Sequence, residues 1–311
     1  MKSKPTLVIY LLIIIGIISF SDRSGFLISP VKAAVFFAES FETGSPQTFL
    51  SQSYGNISTS SRYSIQSAVR ASGMYGLRYH FMIGTSNVGE YTTQHFGDSP
   101  AGPVHPNGAG NHYNDIYIQF KLYYSLGYDW SAGNNKIMII GTQDDRNHDN
   151  VCCNPWVSHY ITILAGNAGP RGFFDAEGNN KISASGQWFG LSPNINGYDS
   201  LNRYFINPGR WYTIEVHKRL NDVGMNNGIF EVWINGLKVA EYFTVTYRVP
   251  WDGTYGTNFA YGTNFVMLTT YINNPAPRDQ DIYYDDVKFS TTYIGTTSVP
   301  LSPPTGLRII N

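Results

Sequence analysis

From Val35 onward the chain alternates. In Asn114–Ser125 the apolar Ile116, Ile118, Phe120 and Leu122 take every second position, and Tyr117, Gln119, Lys121 and Tyr123 stand between them. Successive side chains of an extended strand point to opposite faces, so a period of two predicts a strand with one buried side. In Leu77–Ile83 the pattern sends Leu77, Tyr79, Phe81 and Ile83 inward and Arg78 and His80 outward. In Arg210–Leu220 it sends Tyr212, Ile214, Val216 and Leu220 inward, and Trp211, Thr213, Glu215, His217 and Arg219 outward. In Ile229–Asn235, Phe230, Val232 and Ile234 face in, and Glu231 and Trp233 face out. In Asn264–Asn273, Val266, Leu268 and Ile272 face in, and Met267, Thr269 and Tyr271 face out.

Further extended runs are "AVFFAESFETG", "NKIMIIG", "SHYITILAG", "LKVAEYFTVTYRV" and "DIYYDDVKFS". After the N-terminal segment no long apolar pattern of period 3.6 is present, so the prediction is an all-β, two-sheet antiparallel sandwich. Asn235-Gly236 is the pair that a two-residue hairpin turn requires, because both residues accept positive φ. Asn221–Gly228 reads as a longer polar hairpin loop, and Gln143–Asn150 as a solvated loop. Gly166–Gly209 shows little periodicity and reads as one long loop, a length that in a compact domain goes with function or mobility.

Composition narrows the class. Aromatic residues make up 15% and charged residues 14%, with 31 Gly and 23 Tyr. That suits strands and turns, not a helical bundle or a disordered tail. The formal net charge is −1, so there is no basic excess to hold a phosphate backbone and nucleic acid is not the expected partner. Lys2 and Lys4 precede the apolar run Leu7–Ile18, which is short for a membrane span of about 20 residues and fits a secretory signal. Small residues at Val31 and Ala33 suit a cut after residue 33; a retained N-terminal anchor is the alternative. The expected organisation is a signal peptide over 1–33, one domain over 34–295 and a Pro/Ser/Thr-rich tail over 296–311, in a secreted protein with no membrane span in its mature part. Cys152 and Cys153 are adjacent and cannot staple distant strands. They are either a strained neighbour disulfide or two packed thiols.

Several segments resemble the concanavalin A-like lectin/glucanase superfamily, and within it bacterial secreted jelly rolls related to polysaccharide lyases. They are W-x-x-x-E-x-H in "RWYTIEVHKRLND", F-x-V-W-x-N-G in "NGIFEVWING", Y-Y-D-D-V running to Y-I-G in "DIYYDDVKFSTTYIG", and the opening "ESFETG". The resemblance covers residues 35–295 as a topology and four short segments as motifs. It implies a jelly-roll sandwich with carbohydrate lying across a concave sheet. Such a fold hosts lectins, hydrolases, lyases and inert adhesion modules. The alginate-lyase motifs R-x-E-x-R, Q-I-H and Y-F-K-x-G-x-Y are absent from the sequence.

The outward positions supply the candidate chemistry. Rings stack on the C–H faces of pyranoses, polar neighbours read the hydroxyls, and Arg grips a uronate carboxylate. A lyase needs a carboxylate neutraliser, a base and an acid. Arg78 or Arg219 fits the first role, His217 or His80 the second, and Tyr117 or Tyr271 the third. Lys121, Gln119, Tyr123, Glu215, Arg219, Glu231, Trp233 and Tyr271 are the expected substrate contacts. Glu215 and Glu231 also form the carboxylate pair that a glycosidase would need, although the laminarinase-like E-x-D-x-x-E signature is missing. Glu39 and Glu42 on the first strand, and Asp285 and Asp286 on the last, are the acids for the structural calcium that the resemblance implies. The expectation is a polysaccharide-binding sandwich, with β-elimination of a uronate glycan as its chemistry. A non-catalytic adhesive module is the alternative from another class.

Overall fold

The computed structural model describes residues 35–45, 56–57, 62–86, 91–95, 113–133, 135–143, 157–168, 171–179, 188–190, 204–247, 262–272 and 274–296. The segment 1–33, Cys152–Cys153, all of Gln143–Asn150 but its first residue, and the tail from 297 lie outside them. Among the described residues no helix is long and apolar enough to cross a membrane.

Two antiparallel sheets make up the fold. The first runs β14 (Leu237–Val245), β13 (Gly228–Ile234), β12 (Trp211–Arg219), β6 (Asp115–Tyr124), β16 (Gln280–Ser290), β4 (Gly76–Phe81) and β3 (Tyr63–Gln66). The second runs β10 (Trp188–Gly190), β9 (Arg171–Asn179), β8 (Val157–Ala168), β7 (Asn135–Gln143), β15 (Phe265–Ile272), β5 (Tyr91–His95) and β2 (Asn56–Ile57), with β11 (Tyr204–Ile206) on β9. One edge of β16 is shared. Its residues 280–284 pair with β4, and its residues 287–290 pair with β1 (Val35–Glu39). First and last strands therefore meet, and Asp286 at φ 47° marks the irregular step between the two partnerships.

The alternation sets the core. Leu77, Tyr79, Ile118, Phe120, Ile214 and Phe230 from the first sheet meet Met138, Ile140, Val266 and Leu268 from the second. Each such side chain contributes roughly 1.5–3 kcal/mol by leaving water. Two phenols cross this layer. Tyr79 on β4 shares a hydrogen bond with the Thr92 hydroxyl on β5. Tyr284 on β16 reaches the carbonyls of Ile137 and Thr269. The hairpin turn falls where its chemistry places it, with Asn235 at φ 52° and Gly236 at φ 81°. A side chain on Gly228 would collide with backbone: its Cβ would lie 2.5 Å from the Val245 carbonyl.

The structure departs from the pattern in four places. Ile83, expected inside, is exposed, because β4 ends at Phe81 and Gly84 turns the chain at φ 78°. Lys218 holds an inward position on β12; it is fully buried, with its ammonium 5.3 Å from the Tyr247 ring centre. The stretch read as one loop, Gly166–Gly209, carries the end of β8, then β9, β10 and β11. Paired Phe173-Phe174 and glycines at 172 and 178 erase the side-chain period there, while the backbone ladder to β8 persists. The short β2, β3 and β5 give too few residues to show a period.

Candidate functional site

The outward positions of the first sheet line up in rows across its strands. Trp233, Glu215, Gln119 and Lys288 form one row, and Glu231, His217, Tyr117 and Ser290 the next. Trp211, Tyr123, Tyr283, Arg78 and Ser64 form another, with Asp281 beside His80 beyond it. All the sequence-derived catalytic and substrate candidates except Tyr271 therefore share one face. Tyr271 stands on β15, in the other sheet.

Sharing a face does not make an open trough. Glu215 is 2% exposed. Its carboxylate accepts from the amides of Ile294 at 2.7 Å and Gly295 at 3.0 Å, and from Gln119 Nε2 at 3.0 Å. Gln119 also donates to the Gly295 carbonyl. The segment after β16 thus straps the middle of the sheet. Lower down, the turn before β4 lies on it: the amides of Ala71 and Ser72 donate to Asp285, and the Ser72 hydroxyl to Asp286. Val69 and Ala71 cover the Tyr123–Trp211–Tyr283 ring cluster. Alternation tells which side a residue faces; it does not show what segment from elsewhere in the chain covers it.

Burial pushes the Glu215 carboxyl above its ordinary 4.5, against the pull of its three donors. Below 4.5 the group is protonated folded and unfolded alike. As pH climbs from there, the unfolded chain releases its proton first, so stability falls until the folded pKa is passed. Melting temperature measured against pH should show this decline, and Glu215→Gln should flatten it while lowering stability at low pH. A decline of equal slope in the variant would remove Glu215 as its source.

At the upper end, His217 lies between two acids. Nδ1 is 2.6 Å from Glu231 Oε2, and Nε2 is 2.7 Å from Asp115 Oδ1. Each ring nitrogen therefore already faces a carboxylate oxygen, and neither is open to a substrate. Tyr117 stacks on the imidazole at 4.1 Å. Lys238 donates to Glu231 at 2.7 Å. Burial pushes Glu231 up, but the bonds from Lys238 and His217 outweigh it and hold the carboxyl below its ordinary range. Neither Glu215 nor Glu231 is therefore a free glycosidase acid. At the lower end, Arg78 Nε and His80 Nδ1 both meet Asp281 Oδ1, at 2.9 and 2.7 Å, and the Tyr283 hydroxyl donates to the other oxygen. His80 Nδ1 also lies 2.9 Å from Arg78 Nη2, and the Arg78 charge is already matched to Asp281. Arg219 is exposed at the end of β12. Lys121 is likewise paired, with Asp286.

The four calcium candidates stand at the junction of first and last strands. Glu39 accepts from the Phe41 amide, and Glu42 from those of Met74 and Tyr75. Asp285 accepts from Ala71, Ser72 and Asp286; burial, then the neighbouring Asp286, push it up to about 7. Among the described residues no group of three His, Cys, Asp or Glu is placed to hold a metal. With amide protons or the Lys121 ammonium already on oxygens of all four carboxylates, the arrangement does not fit a resident calcium.

The outer face of the second sheet is arranged differently. Tyr271 pairs with Lys136 on β7, and the ammonium lies 5.3 Å from the ring centre. Both side chains are half-buried. Among the described residues no acid pairs with Lys136. The register of β15 slips between Leu268 and Tyr271, and that of β7 between Lys136 and Met138. Such bulges re-aim side chains. The Asn135 amide, 3.4 Å from the Tyr271 carbonyl, bridges the two strands. Across β15, Thr269, Met267 and Phe265 are in register with Tyr91, Thr93 and His95 of β5. Sequence reading missed Lys136; the only trace was its polar position before the apolar run "IMII". Asp281 and Asp115 were missed as well, being placed by register with His80 and Arg219 and not by any motif.

No protein-family model matches the sequence, and no curated protein matches it. Solved structures do match. The endo-β-1,4-glucuronan lyase of the fungus Trichoderma reesei superposes with a TM-score of 0.53 at 13% identity, over 83% of this chain and 96% of that one. The marine PL-14 alginate lyase of Aplysia kurodai gives 0.57 at 13%, over 84% and 100%. A mutant alginate lyase crystallised with an alginate trisaccharide gives 0.53 at 14%, over 85% and 100%. The likeness at these identities is one of fold: the chain is a jelly-roll sandwich of the kind that polysaccharide lyases share.

Proposed function

We propose that the chain is a secreted polysaccharide lyase that binds a uronate-containing glycan on the outer face of its second sheet and cleaves it by β-elimination. The fold likeness supports the class, and the apolar run Leu7–Ile18 supports export to where such glycans are found. One observation carries the placement: an ammonium without an acid partner among the described residues stands over a phenol, at Lys136 and Tyr271. On the first sheet, by contrast, Arg78, Lys121, His217 and Lys238 are each matched to a carboxylate.

The chemistry needs both groups. The C5–H bond next to the uronate carboxylate breaks, its electrons form the C4–C5 double bond, and the C4–O bond breaks with its pair going to the leaving oxygen. Lys136 offsets the charge that builds on the carboxylate. The Tyr271 hydroxyl gives its proton to the leaving oxygen, and the oxygen so freed takes the C5 proton, so the phenol ends as it began. Incubation with a panel of uronate and neutral glycans tests this. The expected result is the ultraviolet absorbance of an unsaturated uronate with one uronate polymer and none with neutral ones. Retention of a glycan with no absorbance would make the protein a lectin. No retention at all would favour the adhesive module, a reading that the strapped and internally paired first sheet supports.

A further inference from the structure

We infer that the β13–β14 end of the first sheet's outer face is a second carbohydrate site, for a neutral pyranose chain, independent of the Lys136–Tyr271 pair on the other sheet. Three rings meet there. Tyr293 lies 5.0 Å from Trp233 and 6.2 Å from Tyr117, and Trp233 lies 6.5 Å from Tyr117. Tyr293 is 44% exposed, and Phe243 further along β14 is 53% exposed. Flat exposed rings are suited to the C–H faces of sugar rings.

The charges around them select the ligand. Arg219, Lys238 and His217 stand against Asp115, Glu231 and Glu241, and most of them are paired with one another. The patch has many hydrogen-bonding groups, and its cations and carboxylates lie interleaved. It has no free cation held at its centre for a uronate, and too many ionic groups for an apolar partner. An uncharged polyol with one apolar face fits both halves.

The position of the exposed ring is fixed from below. Tyr293 belongs to no strand; the next two amides, of Ile294 and Gly295, are tied to the buried Glu215. Glu215 is thus a positioning residue for the platform. Gly295, at φ 72°, lets the strap turn beside the Tyr293 ring, 3.3 Å from where a Cβ would stand.

Affinity electrophoresis of the full chain in gels containing soluble β-glucan, galactomannan or a uronate polymer tests the site. Wild type should be retarded by a neutral glycan. Tyr293→Ala should weaken that binding by about tenfold or more, as loss of a stacking anchor does, and Tyr293→Phe should preserve it. Glu215→Gln should weaken it without altering any ring. Lys136→Ala/Tyr271→Phe should stay retarded by the neutral glycan, so failure of the lyase reading and failure of this one are separable. The inference is overturned if no neutral glycan retards the wild type, if Tyr293→Ala binds as wild type does, or if the Tyr293-dependent binding is confined to the uronate gel. Concentration-dependent self-association that Tyr293→Ala abolishes, with no glycan retardation, would overturn it too and make the patch an interface between copies.

Discussion

Tyr271→Phe is expected to slow release of unsaturated uronate by a factor of about 10²–10⁴, the range that a positioned proton carrier supplies. The change removes one oxygen and keeps the ring over which the Lys136 ammonium lies, so the melting temperature should barely move. Lys136→Ala should act differently. It removes the charge that both recruits the carboxylate and stabilises the developing anion, so KM should rise as kcat falls. Lys136→Arg should recover binding better than turnover, because a planar fork does not put its charge where an ammonium does. Steady-state ultraviolet assays on the polymer found active in the panel would separate these effects. A Tyr271→Phe enzyme within about threefold of wild type, well short of that range, would move the proton transfer to another residue.

The second large effect lies in the interior. Tyr284→Ala should cost about 4–5 kcal/mol, and Tyr284→Phe about 1–3 kcal/mol. Tyr284 is fully buried, and its phenol spans the core from the first sheet to the backbone of the second. One hydroxyl proton serves two carbonyls, of Ile137 at 2.9 Å and Thr269 at 2.8 Å. Phe leaves both carbonyls in a dry interior without that donor. Ala adds a cavity beside Tyr79 and Phe120, whose rings pack on it at 5.7 and 5.8 Å. Denaturant titration of the three proteins would measure the series. A Phe variant as stable as wild type would show that the bridge contributes nothing net.

The sandwich was legible wherever strands were long and half-buried. Ile116 to Leu122 and Tyr212 to Val216 declared their faces by alternation, and Asn235-Gly236 declared its turn. Strands β9 and β10 were not legible, because a ladder of backbone bonds leaves no trace in a Gly-rich sequence. The candidate residues were assigned the correct side more often than the correct surroundings. Nothing local to "TIEVHKR" shows that Ile294 and Gly295 lie over Glu215, or that Asp115, some hundred residues earlier, closes on His217. Lys136 and Tyr271 sit where two strands slip register, and a strict period of two hides such a step.

The strap also sets how the molecule can be mounted. Thr296 leaves from the first sheet's side, close to Gly236 in the β13–β14 turn, while Lys136 and Tyr271 belong to the opposite layer. A bead or electrode coupled at Thr296 would therefore hold the protein from the side away from Lys136 and Tyr271.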